Sequence, residues 1–443
     1  MRADREPGAS RLLAYGLPAL PLAILTLPFY VLTPAFYAGD LALPIAAVGQ
    51  VLMLVRILDA ASDPLVGVLA DRFRPNFGRR RLWIVCAAPL LAAAAWKIFT
   101  PPAGAGLLYL GFWGVLLSIA WTAVQIPYLA WGAELSRSYA GRNRVTAYRE
   151  AFTVVGTLLA LVLPALLPSF GLNGDRAVLG AFAAIVAVAL PMAVLLTVAT
   201  VPEPEDRSQR RGSWREAATA LLANRPFLRL VAAFLINGLA NGLPATLFLF
   251  FVRHRLEAPD EAGPLLVLYF VAGAAGVPAW LWLARRTSKH RAWALGMGLA
   301  CLAFAFAPML AAGDVWAFAA ITLVTGLALG ADVILPASMQ ADVIDVDTAR
   351  TGEERTGLYL AFWALATKLA LAGAVGIAFP LLGAAGFEPG AGRFEPAGLT
   401  MLAFLYAGLP VLLKLGAIAL VWRFPLDAAG HAELRDAIEA RLR

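Results

Sequence analysis

This chain is short of charge. Asp, Glu, Lys and Arg together make up 15% of its 443 residues, and hydrophobic residues make up 60%. Soluble domains run at about 45–50% apolar, so this balance leaves too few polar side chains to clothe a water-facing surface. Histidine is nearly absent. The three present (His254, His290 and His431) fall at span ends or in the tail without metal-ligand spacing, which argues against zinc chemistry. The two cysteines, Cys86 and Cys301, lie far apart within apolar stretches and imply no disulfide framework. No histidine sits at depth, and no Cys–His or Ser–His–Asp set is visible, so a membrane-embedded enzyme is disfavoured. The first residues, Met1 to Ser10, are polar. The apolar block behind them runs past the length of a signal peptide and reads as a first span.

What is present is apolar sequence in blocks near 20 residues, the length that crosses about 30 Å of hydrocarbon. We expect twelve spans: 12–37, 44–70, 82–100, 104–134, 146–169, 176–200, 226–252, 262–284, 292–312, 315–344, 357–384 and 397–423. The net charge of +7 sits in the connections, where basic residues set topology rather than bind nucleic acid. After spans 2, 4, 6, 8 and 10 come arginine-rich connections such as Arg79-Arg-Arg81 and Arg207 to Arg215. After the odd spans come Arg176, Arg253, Arg255 and Arg393 alone. The even connections and both termini are therefore expected in the cytoplasm.

The longest polar interruption, 201–225, divides the chain in the middle. It separates an N-terminal six-span bundle (1–200) from a C-terminal one (226–424), and a tail (425–443) follows. In that tail Leu434, Ile438 and Leu442 recur at helical spacing and suggest an interfacial amphipathic helix. Short echoes support duplication: Leu69-Ala-Asp-Arg72 against Leu283-Ala-Arg-Arg286, and Ala133-Glu134 against Ala341-Asp342. Two related halves are the pattern of alternating-access carriers.

Asp59 and Asp63 lie one helical turn apart inside span 2. At that spacing their Cβ atoms are about 5–6 Å apart on one face. A carboxylate at membrane depth costs about 2.5–3.5 kcal/mol, and two so close cannot both stay ionised without a counter-charge. A bound cation or shared proton is the natural solution. Ser62 and, in span 4, Thr122 add hydroxyl oxygens to a hard-oxygen set suited to sodium. A structural pairing with nearby Arg56 is the competing reading. Lys368, inside span 11, needs an acid partner, and a bridge to the span 2 pair would exchange with a bound cation. Arg149 is a candidate for substrate contact, or for a local pair with Glu150. Gln125, Asp332 and Trp363 are further candidate substrate residues, and Trp121 and Trp131 are other rings able to stack on a sugar. Asn237 and Asn241, one turn apart in span 7, either line the cavity or bond between helices. Asp71, Arg72, Arg79 and Arg80, in the turn after span 2, form a candidate cytoplasmic gate held by charge-assisted bonds.

At these residues the chain resembles the glycoside–pentoside–hexuronide:cation symporters of the major facilitator superfamily, the group of the bacterial melibiose permease. The resemblance runs over most of the chain. It is carried by Asp59-Ala-Ala-Ser-Asp-Pro-Leu-Val-Gly67 with Gly78-Arg-Arg-Arg81, by Ile126-Pro-Tyr128, by Tyr148-Arg149, and by Ala341-Asp-Val-Ile-Asp345 with Thr351-Gly352 and Lys368. It implies an all-α polytopic fold of twelve transmembrane helices in two pseudo-symmetric bundles. It also implies a cation site at Asp59, Ser62, Asp63 and Thr122, and coupling through Lys368. The matched motifs put Tyr128 beside Arg149 among the candidate substrate residues, and Asp342 and Asp345, with Glu134, at the gate. Sugar-binding members carry an acid in span 4 where this chain has Gln125, a tryptophan where it has Leu129, and a span 1 acid where it has Pro18. The ion half is retained and the galactoside half is not.

The expectation is a monomeric, multi-pass carrier in a bacterial inner membrane, with Na+ or H+ as coupling ion and no organic cofactor. It would move a sugar or related polar solute by alternating access. A cation-coupled lysolipid carrier is the alternative, because lysolipid carriers in animals look similar at the same ion positions. A channel or membrane enzyme is the reading of another class.

Overall fold

In lipid every backbone N–H and C=O must find its partner within the protein, so long apolar runs fold as helices. The computed structural model follows this rule. It describes residues 8–72, 78–135, 139–203, 221–351, 356–391 and 395–426. Among the described residues, twelve helices are long and apolar enough to cross a membrane. In chain order they are α1 (Ala9–Ala38), α2 (Ile45–Arg72), α3 (Arg79–Phe99), α4 (Leu107–Glu134), α5 (Tyr139–Leu166), α6 (Asp175–Thr200), α7 (Arg225–Arg255), α8 (Ala262–Arg286), α9 (Lys289–Phe304), α10 (Val315–Thr351), α11 (Thr356–Ala384) and α12 (Pro396–Val421). The protein is an all-α, multi-pass membrane protein.

Helix ends depart from the apolar boundaries. α5 begins at Tyr139 rather than 146, and α10 runs on to Thr351 rather than 344. Hydropathy marks where hydrocarbon ends, while the backbone stays helical beyond it for as long as its hydrogen bonds continue. Internal prolines do not end their helices: Pro127 lies inside α4, Pro244 inside α7 and Pro336 inside α10. α1 is interrupted by a turn at Leu17–Pro18 and a π turn at Pro28–Leu32. Pro28 has no N–H to give the ladder, and Thr33 Oγ1 bonds the Pro28 carbonyl at 3.0 Å. π turns also occur at Phe251–Arg255 in α7 and Phe404–Gly408 in α12.

The chain divides into two compact units, Met1–Ser208 with Glu388–Arg393, and Gln209–Phe387 with Phe394–Arg443. Within the first, α1 packs on α5, α2 on α4, and α3 on α4 and α6. Within the second, α7 packs on α11, α8 on α10, and α9 on α10 and α12. Adding six to each helix number of the first set gives the second, so the two units share one packing plan. Close crossings use glycine. A Cβ on Gly276 of α8 would stand 2.6 Å from the Leu327 carbonyl oxygen, and one on Gly330 of α10 would stand 2.7 Å from that of Gly273. Small residues let membrane helices gain dispersion contact where no hydrophobic drive operates between them. The amphipathic tail expected over 427–443 and most of the connection 201–225 lie outside the described residues.

Candidate functional site

The site begins with two long helices of the first unit in contact. α2 places Asp59 and Asp63 one turn apart, both half-buried. α4 carries Thr122 at its middle, about 22 Å from one end and about 18 Å from the other at 1.5 Å per residue. Thr122 is buried, and its Oγ1 lies 2.8 Å from Asp63 Oδ1 and 3.2 Å from Asp59 Oδ1. Both acids thus turn toward α4, inside the unit. A hydroxyl has one hydrogen and donates to one carboxylate at a time. The second carboxylate then meets an oxygen lone pair unless it carries a proton or a cation lies close. A monovalent cation or a proton placed at this trio would relieve that conflict, and the buried Arg56 guanidinium already acts electrostatically on Asp59.

Ser62 joins this trio only through the backbone: its Oγ donates to the Asp59 carbonyl at 2.9 Å, leaving lone pairs free to accept. Arg56, the competing partner, is buried with its guanidinium 4.1 Å above the Tyr30 ring. Next to Asp59 lies a cavity of ≈ 20 Å³, walled by Leu25, Phe29 and Tyr30 of α1 and by Leu117, Ser118 and Trp121 of α4. That is room for about one water-sized guest. Its wall is aromatic and apolar, with Asp59, Ser118 and Thr26 as the polar members. Among the described residues no group of three or more His, Cys, Asp or Glu side chains is poised for a metal. An oxygen set of two carboxylates and hydroxyls suits a hard alkali cation or a proton, not a transition metal.

The other expected residues are distributed as follows. Gln125, one turn beyond Thr122 on α4, has a buried Oε1 with no hydrogen-bond partner, the kind of orphaned acceptor a solute hydroxyl would satisfy. Arg149 forms an ion pair with its neighbour Glu150, the local alternative. Tyr128 departs from the substrate role expected for it. It is buried, its ring stacks on Tyr15 with centroids 4.8 Å apart, and each hydroxyl donates to the other residue's carbonyl, at 2.6 and 3.1 Å. Tyr128 is a clasp between α4 and α1. Trp131 is likewise spent, donating Nε1–H to the Pro202 carbonyl at 3.0 Å. Trp363 stacks on Phe234 with centroids 3.8 Å apart.

In the second unit, Asp332 also departs from expectation. Its carboxylate accepts Asn237 Nδ2 (3.0 Å) and Trp293 Nε1 (2.6 Å) at Oδ1, and Asn241 Nδ2 (3.0 Å) at Oδ2, with Lys414 Nζ 3.3 Å from Oδ2. The carboxylate is saturated from within and has no lone pair to spare for a solute. Lys414 is the residue that sequence reasoning missed. It lies deep in an apolar span, the same signal that singled out Lys368. Lys368 itself is half-buried on α11 in the second unit.

Of the expected gate, Arg80 is buried, and its backbone N–H donates to Glu203 Oε1 at 2.7 Å. Asp342 takes Lys289 Nζ at 2.6 and 2.8 Å, at the wall of a cavity of ≈ 360 Å³ among α8, α10 and the segment that follows α12. The side chains of Asp71, Arg72, Arg79, Glu134 and Asp345 lie outside the described residues.

Comparison with known proteins gives the family and the fold. A family model described as MFS/sugar transport protein matches residues 14–428. The chain is 25% identical to an uncharacterized symporter, sll1374, of Synechocystis sp., over 97% of this chain and 96% of that one. It is 26% identical to the human sodium-dependent lysophosphatidylcholine symporter 1, over 88% of this chain and 78% of that one. A bacterial homologue of the human lysosomal transporter Spinster superposes with a TM-score of 0.65 at 15% identity, covering 99% of this chain and 98% of that one, and so shares its fold. The chain belongs to the MFS/sugar transport protein family.

Proposed function

We propose that this protein is a cation-coupled symporter, with Asp59, Asp63 and Thr122 as the seat of the coupling ion and Ser62 as a further oxygen donor. The carrying observation is the single hydroxyl of Thr122 set between two carboxylates within the first unit. Carboxylates held 3.2 and 2.8 Å from one oxygen repel each other, and added positive charge relieves that repulsion. A Na+ ion or a proton entering there stabilises one arrangement of the helices over another, and this is the thermodynamic content of coupling. The named sodium dependence of a relative supports the same reading. Both termini face the cytoplasm, a reading supported by the arginines of the even connections, and bacterial symporters among the relatives support a bacterial inner membrane.

The solute is a sugar or related polar compound, recognised in part by the free Gln125 carbonyl oxygen, in keeping with the family description and with the likeness to the melibiose permease group. A second reading, a lysolipid-like amphipath, is favoured by the lysophosphatidylcholine symporter among the relatives. Uptake into proteoliposomes under an imposed Na+ or H+ gradient, with radiolabelled sugars in one arm and a lysophospholipid in the other, tests both. Gradient-driven accumulation of one class is expected. Uptake indifferent to either gradient overturns the symporter.

A further inference from the structure

The second unit buries an acid of its own but settles it differently. Asp332 and Lys414 have side-chain exposures of 10% and 1%. Asp332 stands about 26 Å into α10 at 1.5 Å per residue, far from the near end of its helix. The Lys414 ammonium lies 2.7 Å from Asn237 Oδ1 and 3.3 Å from Asp332 Oδ2. The neutral donors Asn237, Asn241 and Trp293 occupy the remaining lone pairs of the carboxylate. The amide of Asn237 is thereby used at both ends, its nitrogen on the acid and its oxygen on the ammonium. The cluster carries one negative and one positive charge and no deficit. The first unit sets two acids around one hydroxyl; the second sets one acid against an ammonium attached to α12.

We propose that Asp332 and Asn237 form a latent site for a small monovalent cation, kept filled by the Lys414 ammonium as a tethered counter-ion. Lys414 excludes exchangeable cations from the second unit, and so confines cation coupling to Asp59 and Asp63. The proposal extends the coupling reading, but its chemistry stands apart from it. The recognition is that of a primary ammonium: one carboxylate oxygen and one amide oxygen accept from N–H donors. Removing the lysine from a buried pair leaves an uncompensated charge, whereas removing both partners does not. A vacated site therefore takes methylammonium, which presents the same head group, or a bare alkali cation. It does not take tetramethylammonium, which has no N–H to donate.

The test is made in the Asp59→Asn plus Asp63→Asn background, where the first-unit site is silenced. Thermal stability of the purified full-length protein is titrated with methylammonium, sodium and tetramethylammonium chlorides. Adding Lys414→Ala is expected to lower the melting temperature. It is also expected to create a saturable recovery with methylammonium or sodium that exceeds the effect of tetramethylammonium. Adding Asp332→Asn to that protein is expected to abolish the recovery. Equal responses to the three salts, or a recovery that survives Asp332→Asn, overturn the proposal. If Lys414→Ala cannot be purified in ordinary buffer, it is prepared with methylammonium throughout. Folded protein obtained only then supports the tethered counter-ion. Failure in every salt, while Lys414→Met plus Asp332→Asn folds, overturns it. A cation response already present in the background, before Lys414 is touched, counts against the first-unit reading alone, and the Asp332-dependent difference still decides this one.

Discussion

At the scale of single residues, function turns on how buried carboxylates are neutralised. A hydrogen bond to a charged group is worth about 1.5–3 kcal/mol, and about 1.4 kcal/mol is tenfold in affinity. Thr122→Ala removes an oxygen from the proposed Na+ set and is expected to weaken Na+ binding about tenfold or more, while loss of a donor to the ionised acids favours proton binding; Thr122→Ser stays near wild type. Cation-dependent thermal stabilisation of the purified protein checks this, and a wild-type response from Thr122→Ala refutes a direct role for the hydroxyl. The acid pair and Thr122 were legible in the sequence because ionisable and hydroxyl groups stand out against an apolar background. Asp332 stood out as well, yet its role was not legible. The four donors that saturate it come from α7, α9 and α12, and only folding brings them together. Tyr128 shows the same limit: its chemistry permits a solute contact, but its reciprocal bonds with Tyr15 commit it to packing. Tyr128→Phe is expected to cost about 1 kcal/mol or less, the usual worth of a side-chain hydrogen bond between membrane helices. It should leave cation-dependent stabilisation intact, and melting curves with and without cation measure both effects.

At the scale of helices, the α8–α10 crossing in the second unit depends on glycine. A side chain at Gly330 would run into the Gly273 carbonyl and the Val277 amide nitrogen, and forced overpacking costs about 1–3 kcal/mol. Gly330→Leu is expected to lower the melting temperature clearly. Gly298→Ala on α9, with nothing within 4 Å of the added Cβ, is expected to be neutral or mildly stabilising. Equal stability of the two variants in detergent would show that close approach at Gly330 is unimportant. The presence of the helices was readable from the length and apolarity of their segments. Their ends were not, as at Tyr139 and Thr351, because the backbone ladder continues past the apolar segment. Nor were the π turns: the one in α1 begins at Pro28, whose missing N–H does not specify how the neighbouring carbonyls are satisfied, and those at Phe251–Arg255 in α7 and Phe404–Gly408 in α12 hold no proline to mark them.

At the scale of the whole molecule, two units with one packing plan carry different charge chemistry: two acids sharing one hydroxyl in the first and an acid paired with a lysine in the second. Coupling by such a device is reciprocal. Whatever factor by which Na+ or H+ raises solute affinity, the solute raises cation affinity by the same factor. Once a transported solute is found, titrating each ligand in the presence of the other should return equal factors. Unequal equilibrium factors would contradict coupling through a shared set of states. The central claim, that Asp59 and Asp63 hold the coupling ion, is tested most directly without any solute. Thermal stability of the purified protein is followed across Na+ concentration and pH, for wild type and for Asp59→Asn plus Asp63→Asn. A saturable response to Na+, or to protons, that vanishes in the double variant is the predicted result. The same response in both proteins would contradict the claim.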